Sequence, residues 1–209
     1  MANLRTITQF KSALQGGGAR PNLFEVRLTT LPPAALAAGA AWDANTFEFL
    51  CKSAALPAST IANIDVPFRG RILKVAGDRT IETWTVTVIN DEDFKLRSAF
   101  EAWMNGIVKL DNNTGATEPA QYMTDAEVFQ LGRGYSKGRF SDGNDGGNAN
   151  GGTATPLKTY KFYDIFPTSV SAIDLSYDST DTIEDFTVEF QVQYWTAGQT
   201  TDQTGFVMT

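Results

Sequence analysis

The segment Phe186–Trp195 leaves little choice of local conformation. Phe186, Val188, Phe190, Val192 and Tyr194 alternate with Thr187, Glu189, Gln191 and Gln193, and an extended strand puts those two sets on opposite faces. The apolar set faces a core and the polar set faces water or a partner. Burying each large apolar side chain is worth roughly 1.5–3 kcal/mol, so a slip of one residue, which inverts the faces, is strongly disfavoured. Trp195 falls on the polar side of this strand, which marks it for a sheet edge or a subunit contact.

The same alternation recurs upstream. Phe24, Val26 and Leu28 oppose Glu25, Arg27 and Thr29, and Trp84, Val86 and Val88 oppose Thr83, Thr85 and Thr87. The segment Ile64 to Ala76 alternates about Gly70, which reads as a turn or bulge in a projecting hairpin. Further strands are expected at Ala126–Leu131, Tyr160–Phe166 and Val170–Tyr177. An apolar stretch, Phe47 to Ala55, and an Ala-rich loop around Pro32 and Pro33 complete the first half.

A helical period intervenes once. Leu96, Phe100, Trp103 and Ile107 form one apolar stripe, Asn90 to Asp93 offers capping side chains and negative charge before it, and Gly106 weakens its last turn. The expected fold is mainly β, a two-sheet sandwich or barrel with one packed α-helix. It forms a single domain, 1–209, with a polar N-terminal arm, 1–20, hinged at Gly16 to Gly18, and a Gly/Asn-rich insertion, 132–156, expected to be flexible.

Composition removes whole classes of function. The chain has no histidine, which excludes Ser-His-Asp and Cys-His catalysis and His-ligated metals. Its single cysteine, Cys51, excludes an intrachain disulfide and, without a histidine to activate it, reads as a buried structural thiol. A formal charge of −7 argues against non-specific binding to nucleic acid or to an anionic membrane surface. No signal-peptide or transmembrane stretch is found, so folding in the cytoplasm is expected.

Motifs that suggest chemistry fail on detail. In Asp142–Gly147 the EF-hand positions that require an oxygen ligand and a bidentate Glu hold Gly146 and Thr153. Gly132-Arg-Gly134 lacks the third glycine of a dinucleotide loop. Asn112-Asn113-Thr114 fits a glycosylation acceptor but reads as a loop, and Glu184 and Asp185, adjacent on a strand, point to opposite faces. No cofactor, metal or catalytic residue is expected, and the chain reads as non-enzymatic. Trp84, Trp103 and Tyr194 read as core and Trp42 breaks the pattern. Arg69, Arg71, Lys74 and Arg79 form a basic stretch in the hairpin, either a solvated surface or the partner of an acidic patch on another copy.

Four stretches, in order, resemble the tail tube proteins of contractile-tailed bacteriophages. Arg20-Pro-Asn-Leu-Phe-Glu-Val is similar to the family's opening strand. Leu50 to Pro57, with Val66-Pro-Phe-Arg-Gly70 and Ala76-Gly-Asp-Arg79, is similar to its second strand and hairpin. Trp84 to Asp91, with Arg97, Phe100, Glu101 and Trp103, is similar to its strand-into-helix unit. Phe166-Pro167, Ile173 to Tyr177 and Phe186 to Trp195 are similar to its final strands. The Ala-rich stretch near Pro33 to Ala41 and the insertion at 132–156 depart from that pattern.

The resemblance implies a structural virion protein, assembled in the host cytoplasm. It implies hexameric rings whose inner strands join into a continuous barrel, stacked into a tube through which DNA leaves. Implied partners are the tail sheath, the baseplate or tube initiator and the tail terminator, with no membrane insertion by this chain. Arg69, Arg71, Lys74, Arg79 and Trp195 are then interface candidates. Thr187, Glu189, Gln191 and Gln193 are candidates to line the lumen, although the strand alone leaves the tube's outer surface equally open. Six copies would carry a formal charge of −42, and an acidic or neutral lumen would let DNA slide. The tube of type VI secretion competes with this reading. In a different class stands a carbohydrate-binding or glycosidase-like sandwich, which would be a monomer with a cleft.

Overall fold

The computed structural model describes residues 6–14, 18–132, 156–178 and 180–198. The body of the 132–156 insertion, with the Asp142–Gly147 motif, lies outside the described residues, as do Gly16 and Gly17. In chain order the elements are α1 (Ile7–Ala13), β1 (Phe24–Arg27), α2 (Pro33–Ala37), α3 (Ala44–Leu50), β2 (Cys51–Ala54), β3 (Ser59–Phe68), β4 (Arg71–Ile81), β5 (Trp84–Ile89), α4 (Lys95–Ile107), α5 (Pro119–Tyr122), β6 (Thr124–Gln130), β7 (Lys158–Val170), β8 (Asp185–Gln191) and β9 (Tyr194–Gly198). The protein is mainly β with one long packed helix, as its periodicities predict, and four shorter helical segments are added to it.

The 13-residue strand β7 organises the body. Its first half pairs with β6 on one side and β9 on the other, and β6 in turn pairs with β1. Its second half pairs with β8, followed outward by β5 and β2. We refer to these halves as sheet A (β1, β6, β7, β9) and sheet B (β7, β8, β5, β2). The strand passes from one sheet to the other between Ile165 and Phe166, next to an irregular pairing at Phe162–Ile165 and to Asp164 at φ 53°. Tyr160–Phe166 and the start of Val170–Tyr177 are therefore one strand, and residues 171–176 carry no regular structure.

The core lies between the sheets. Val26, Ala126, Val128 and Phe162 face it from sheet A, and Trp84, Val86, Val88, Phe186, Val188 and Phe190 from sheet B. Trp84 stacks on Phe162 with ring centroids 4.5 Å apart, and its indole N–H donates to the Ala55 carbonyl at 2.9 Å, so a large ring is buried with its polar atom satisfied. Helix α4 closes the open side with the predicted stripe: Leu96, Phe100 and Trp103 are buried, and Phe100 meets Phe186 and Phe190 edge-on.

Local expectations fail where tertiary partners decide. The helix α4 is capped by none of Asn90 to Asp93; its N-cap is Phe94 at φ 53°, without a side-chain cap. Asn90 instead donates through its side-chain amide to Glu184 at 3.1 Å, tying the helix entry to the residue that precedes β8. The Phe47–Ala55 stretch divides into α3, capped by Asp43, and the short strand β2. The Ala-rich loop becomes α2, opened by Pro33 at its first position. Trp42 belongs to the core margin, donating to the Leu28 carbonyl at 3.0 Å and lying 5.2 Å from the Phe47 ring.

Gly106 is required by packing. A Cβ there would stand 2.5 Å from the Ala34 carbonyl oxygen, where α2 crosses α4. Alanine is the better helix former by ~1 kcal/mol, but the clash is with backbone, and overpacking costs about 1–3 kcal/mol. Gly106→Ala is therefore expected to lower stability in urea denaturation, reversing the sign helix propensity gives.

Candidate assembly surfaces

The Phe186–Trp195 strand is not continuous. It leaves sheet B after Gln191, turns through Val192 and Gln193, and re-enters sheet A as β9. The turn inverts the alternation. Tyr194, expected in the core, is 48% exposed and stacks on Tyr163 at 4.6 Å, whereas Trp195, expected on the polar face, packs inward against the core margin 6.1 Å from Tyr160. Gln193 sits in the turn, its N–H donating to the Tyr163 carbonyl at 3.3 Å. Of the four polar residues, Thr187, Glu189 and Gln191 remain on one strand face.

That face belongs to a wider polar surface. Cross-strand pairing aligns Ser53, Thr87 and Thr187 in one row and Thr85, Glu189 and Ser169 in the next. Its charged members are Glu189 and the ion pair of Lys52 with Asp185. The outward face of sheet A is the opposite in kind. Arg27, Glu127 and Lys161 form a cross-strand row, with Arg27 paired to Glu25 at 3.1 Å and Lys161 to Asp125 at 3.4 Å. Burial, and then the nearby Glu48 carboxylate, hold the Glu25 carboxyl above its usual range against the pull of Arg27.

The second surface is the hairpin. The strands β3 and β4 continue the β2–β5 ribbon past the edge of sheet B, linked by hydrogen bonds from Ala55 N–H to Thr85 and from Glu82 N–H to Ala58. The turn is Arg69-Gly70, with φ 45° and 83°, the two positive values of a type I′ turn that suits strand twist. Pairing of Phe68 with Arg71, Val66 with Leu73 and Ile64 with Val75 puts five apolar side chains on one face. All five are exposed, Phe68 at 66% and Leu73 at 62%. A two-stranded ribbon is marginal alone in water, and an apolar patch of this kind marks an interaction site.

The four hairpin cations do not form one patch. Arg71 borders the apolar face, while Lys74, 3.2 Å from Asp65, and Arg79 stand on the other. Arg69 is in the turn, its guanidinium 5.5 Å from the centroid of the Phe68 ring. A bulge between Asn63 and Ile61 shifts Arg79 out of the simple alternation. The apolar side chains between the cations are visible in the sequence; that no described residue covers them is not.

The chemistry-bearing groups elsewhere are engaged structurally. Glu184 accepts from Asn90, and Asp185 pairs with Lys52. Among the described residues no group of His, Cys, Asp and Glu is arranged to hold a metal ion, and no helix is long and apolar enough to cross a membrane. Cys51 is buried, and burial pushes its thiol up to about 12. At pH 8 only about one molecule in ten thousand would carry the thiolate. Thiol titration with an aromatic disulfide is expected to show Cys51 silent in the native protein and reactive once unfolded.

Comparison with known proteins agrees with this geometry. A family model described as phage tail tube protein matches residues 19–198. The tail tube protein gp19 of Enterobacteria phage T4 is 33% identical over 180 residues, covering 86% of this chain and 92% of that protein. The tail tube protein of Serratia phage KSP90 is 23% identical over 188 residues, covering 90% and 94%. The fold is shared with a chain of the anti-feeding prophage baseplate, at TM-score 0.57 and 10% identity over 87% of this chain and 95% of that one. It is shared also with a chain of the sheath–tube complex of an extracellular contractile injection system, at TM-score 0.51 and 13% identity over 93% and 99%. With its hairpin, its bent two-sheet body and a match that spans nearly all of the described residues, the chain belongs to the phage tail tube protein family.

Proposed function

We propose that this protein is the repeating subunit of the inner tube of a contractile phage tail, closing into hexameric rings that stack into a conduit for the genome. The observation that carries the reading is the projecting hairpin, whose exposed apolar face requires another copy to cover it. The edges of β1, β2 and β9 that are unpaired among the described residues point the same way, since unpaired edges invite pairing and a closed ring removes them. The names of the relatives support the tube role. The sheath, baseplate and terminator chains that accompany the similar folds in solved assemblies are the partner classes proposed here. The role is structural and non-enzymatic.

Within the tube, the polar face of sheet B is the proposed lumen, lined by Thr85, Thr87, Thr187, Glu189 and Gln191. Phosphates are held by Lys and Arg that displace counterions, so the Ser/Thr row suits a sliding polyanion. The cation-bearing face of sheet A is then directed away from the DNA. Phage identity at 33% over most of both chains favours a virion over an injection system.

Two outcomes test this reading. Charge reversal at Arg69, Arg71 or Arg79 is expected to leave the monomer's melting unchanged and to lower tube yield in electron microscopy. Loss of folding instead would place the hairpin inside the monomer's core. Virions carrying Thr87→Lys and Thr187→Lys are expected to eject DNA more slowly, with the difference shrinking as salt rises; unchanged ejection would move the lumen to another face.

A further inference from the structure

The joint between β5 and α4 combines three local costs. Phe94 stands at φ 53° and ψ 23°, in the left-handed region that Cβ sterics disfavour and that bulky residues rarely enter. Helix α4 starts directly after it with no side-chain cap, so the N–H groups of Lys95, Leu96 and Arg97 lack an acceptor within the helix. Asn90 Oδ1 and Asp91 Oδ1 are buried, and neither has a hydrogen-bond partner among the described residues. A buried acceptor left unmade costs free energy. Costs of this kind persist only where the surrounding structure over-determines them, and they cluster at switch regions.

Both ends of the joint are held. Asn90, 9% exposed, is tied twice to Glu184: its N–H donates to the Glu184 carbonyl at 2.9 Å and its side-chain amide to the carboxylate at 3.1 Å. These bonds carry the β5–β8 ladder one residue past Ile89 and Asp185 and fix where the joint begins. Leu96, Phe100 and Trp103, buried in the core, fix where α4 lies. Between these anchors residues 91–94 already form a turn, closed by the Phe94 N–H on the Asp91 carbonyl at 3.1 Å. The Ser98 N–H then meets the Phe94 carbonyl at 2.9 Å. Only the left-handed backbone of Phe94 separates this turn from the helix.

We propose that the joint has two positions: the short one observed, and a long one in which Phe94 turns right-handed and α4 starts at Glu92, capped by Asp91. The long form relieves the backbone at Phe94 and lets Asp91 Oδ1 accept an N–H of the first turn. It bonds the N–H groups of Lys95, Leu96 and Arg97 to the carbonyls of Asp91, Glu92 and Asp93, and it sets Glu92 and Asp93 in the first turn, where the helix dipole favours negative charge. Its cost is positional. Three added residues lengthen α4 by roughly 4.5 Å, which carries Asn90 away from Glu184. The Asn90–Glu184 contact is therefore a latch that holds the short form. Glu184 also lies in the wall of the recess formed by the loop between β7 and β8, so the placement of that loop and the length of α4 are one equilibrium. The device uses no second copy of the chain and stands whether or not the tube reading does.

The test is amide hydrogen exchange and thermal melting of the full chain, unassembled. The amides of Lys95, Leu96 and Arg97 are open in the short form and bonded in the long one, so their exchange reads the balance. Phe94→Gly and Phe94→Ala lose the same ring, which leaves a backbone difference: glycine favours the left-handed short form and alanine the helical long form. The alanine variant is expected to exchange these amides about tenfold more slowly than the glycine variant. The glycine variant is expected to melt higher, against the order of helix propensity. Glu184→Ala, which opens the latch, is expected to slow exchange at the same three amides relative to the wild type, and adding Phe94→Gly to restore it. Equal exchange in the two Phe94 variants would overturn the long form, and a higher melting temperature for alanine would overturn the strain that drives it. Unchanged exchange in Glu184→Ala, or faster exchange that extends through β5, would overturn the latch, the second by making Asn90–Glu184 an ordinary contact of the fold.

Discussion

Everything in the body hangs on the division of one strand between two sheets. The first half of β7 is hydrogen-bonded on both edges within sheet A, and its second half is the partner of β8 in sheet B. A strand that changes sheets must bend, and the bend sets the two inner faces opposite each other, where Trp84 from one sheet can stack on Phe162 from the other. It also leaves the chain after β8 a choice of partner. The free edge of β7 beside Tyr160 takes β9 and breaks the strand at Val192 and Gln193. The inverted alternation that follows puts Trp195 inward and Tyr194 outward.

The same division gives the molecule two polar faces of different character. Sheet A is covered by rows of opposite charges, which satisfy one another and hold a well-defined surface. Sheet B is covered by short hydroxyl side chains with little charge to attract or repel a polyanion. The hairpin is the third surface and the least self-sufficient. Its turn suits the strand twist, yet its apolar face has no cover among the described residues. An exposed apolar face of this size marks an interaction site, and in the proposed tube another copy covers it.

Much of this was legible from residue spacing. Alternation located β1, β3, β4, β5 and β6, the 3.6-residue stripe located α4, and Gly70 located the turn. What failed did so for nameable reasons. The strand Phe186–Trp195 was read as continuous because its alternation is unbroken in sequence, and only the pairing with β7 breaks it. The α4 cap was misassigned because Asn90 has a better partner in Glu184, 94 residues away. A bulge and two strand faces disperse the basic stretch of the hairpin, and neither shows in a linear charge run.

The sequence by itself determined which residues prefer the strand, the helix and the turn, and which faces must be dry, because those follow from side-chain periodicity and backbone conformation over a few residues. It also determined, through the absence of histidine and the single cysteine, which chemistries are closed to the chain. The tertiary structure decided which strands are neighbours, where the final strand breaks, and which apolar faces are left without cover. Those are long-range outcomes: they depend on which edge is free when two distant segments meet, and no local pattern carries that information.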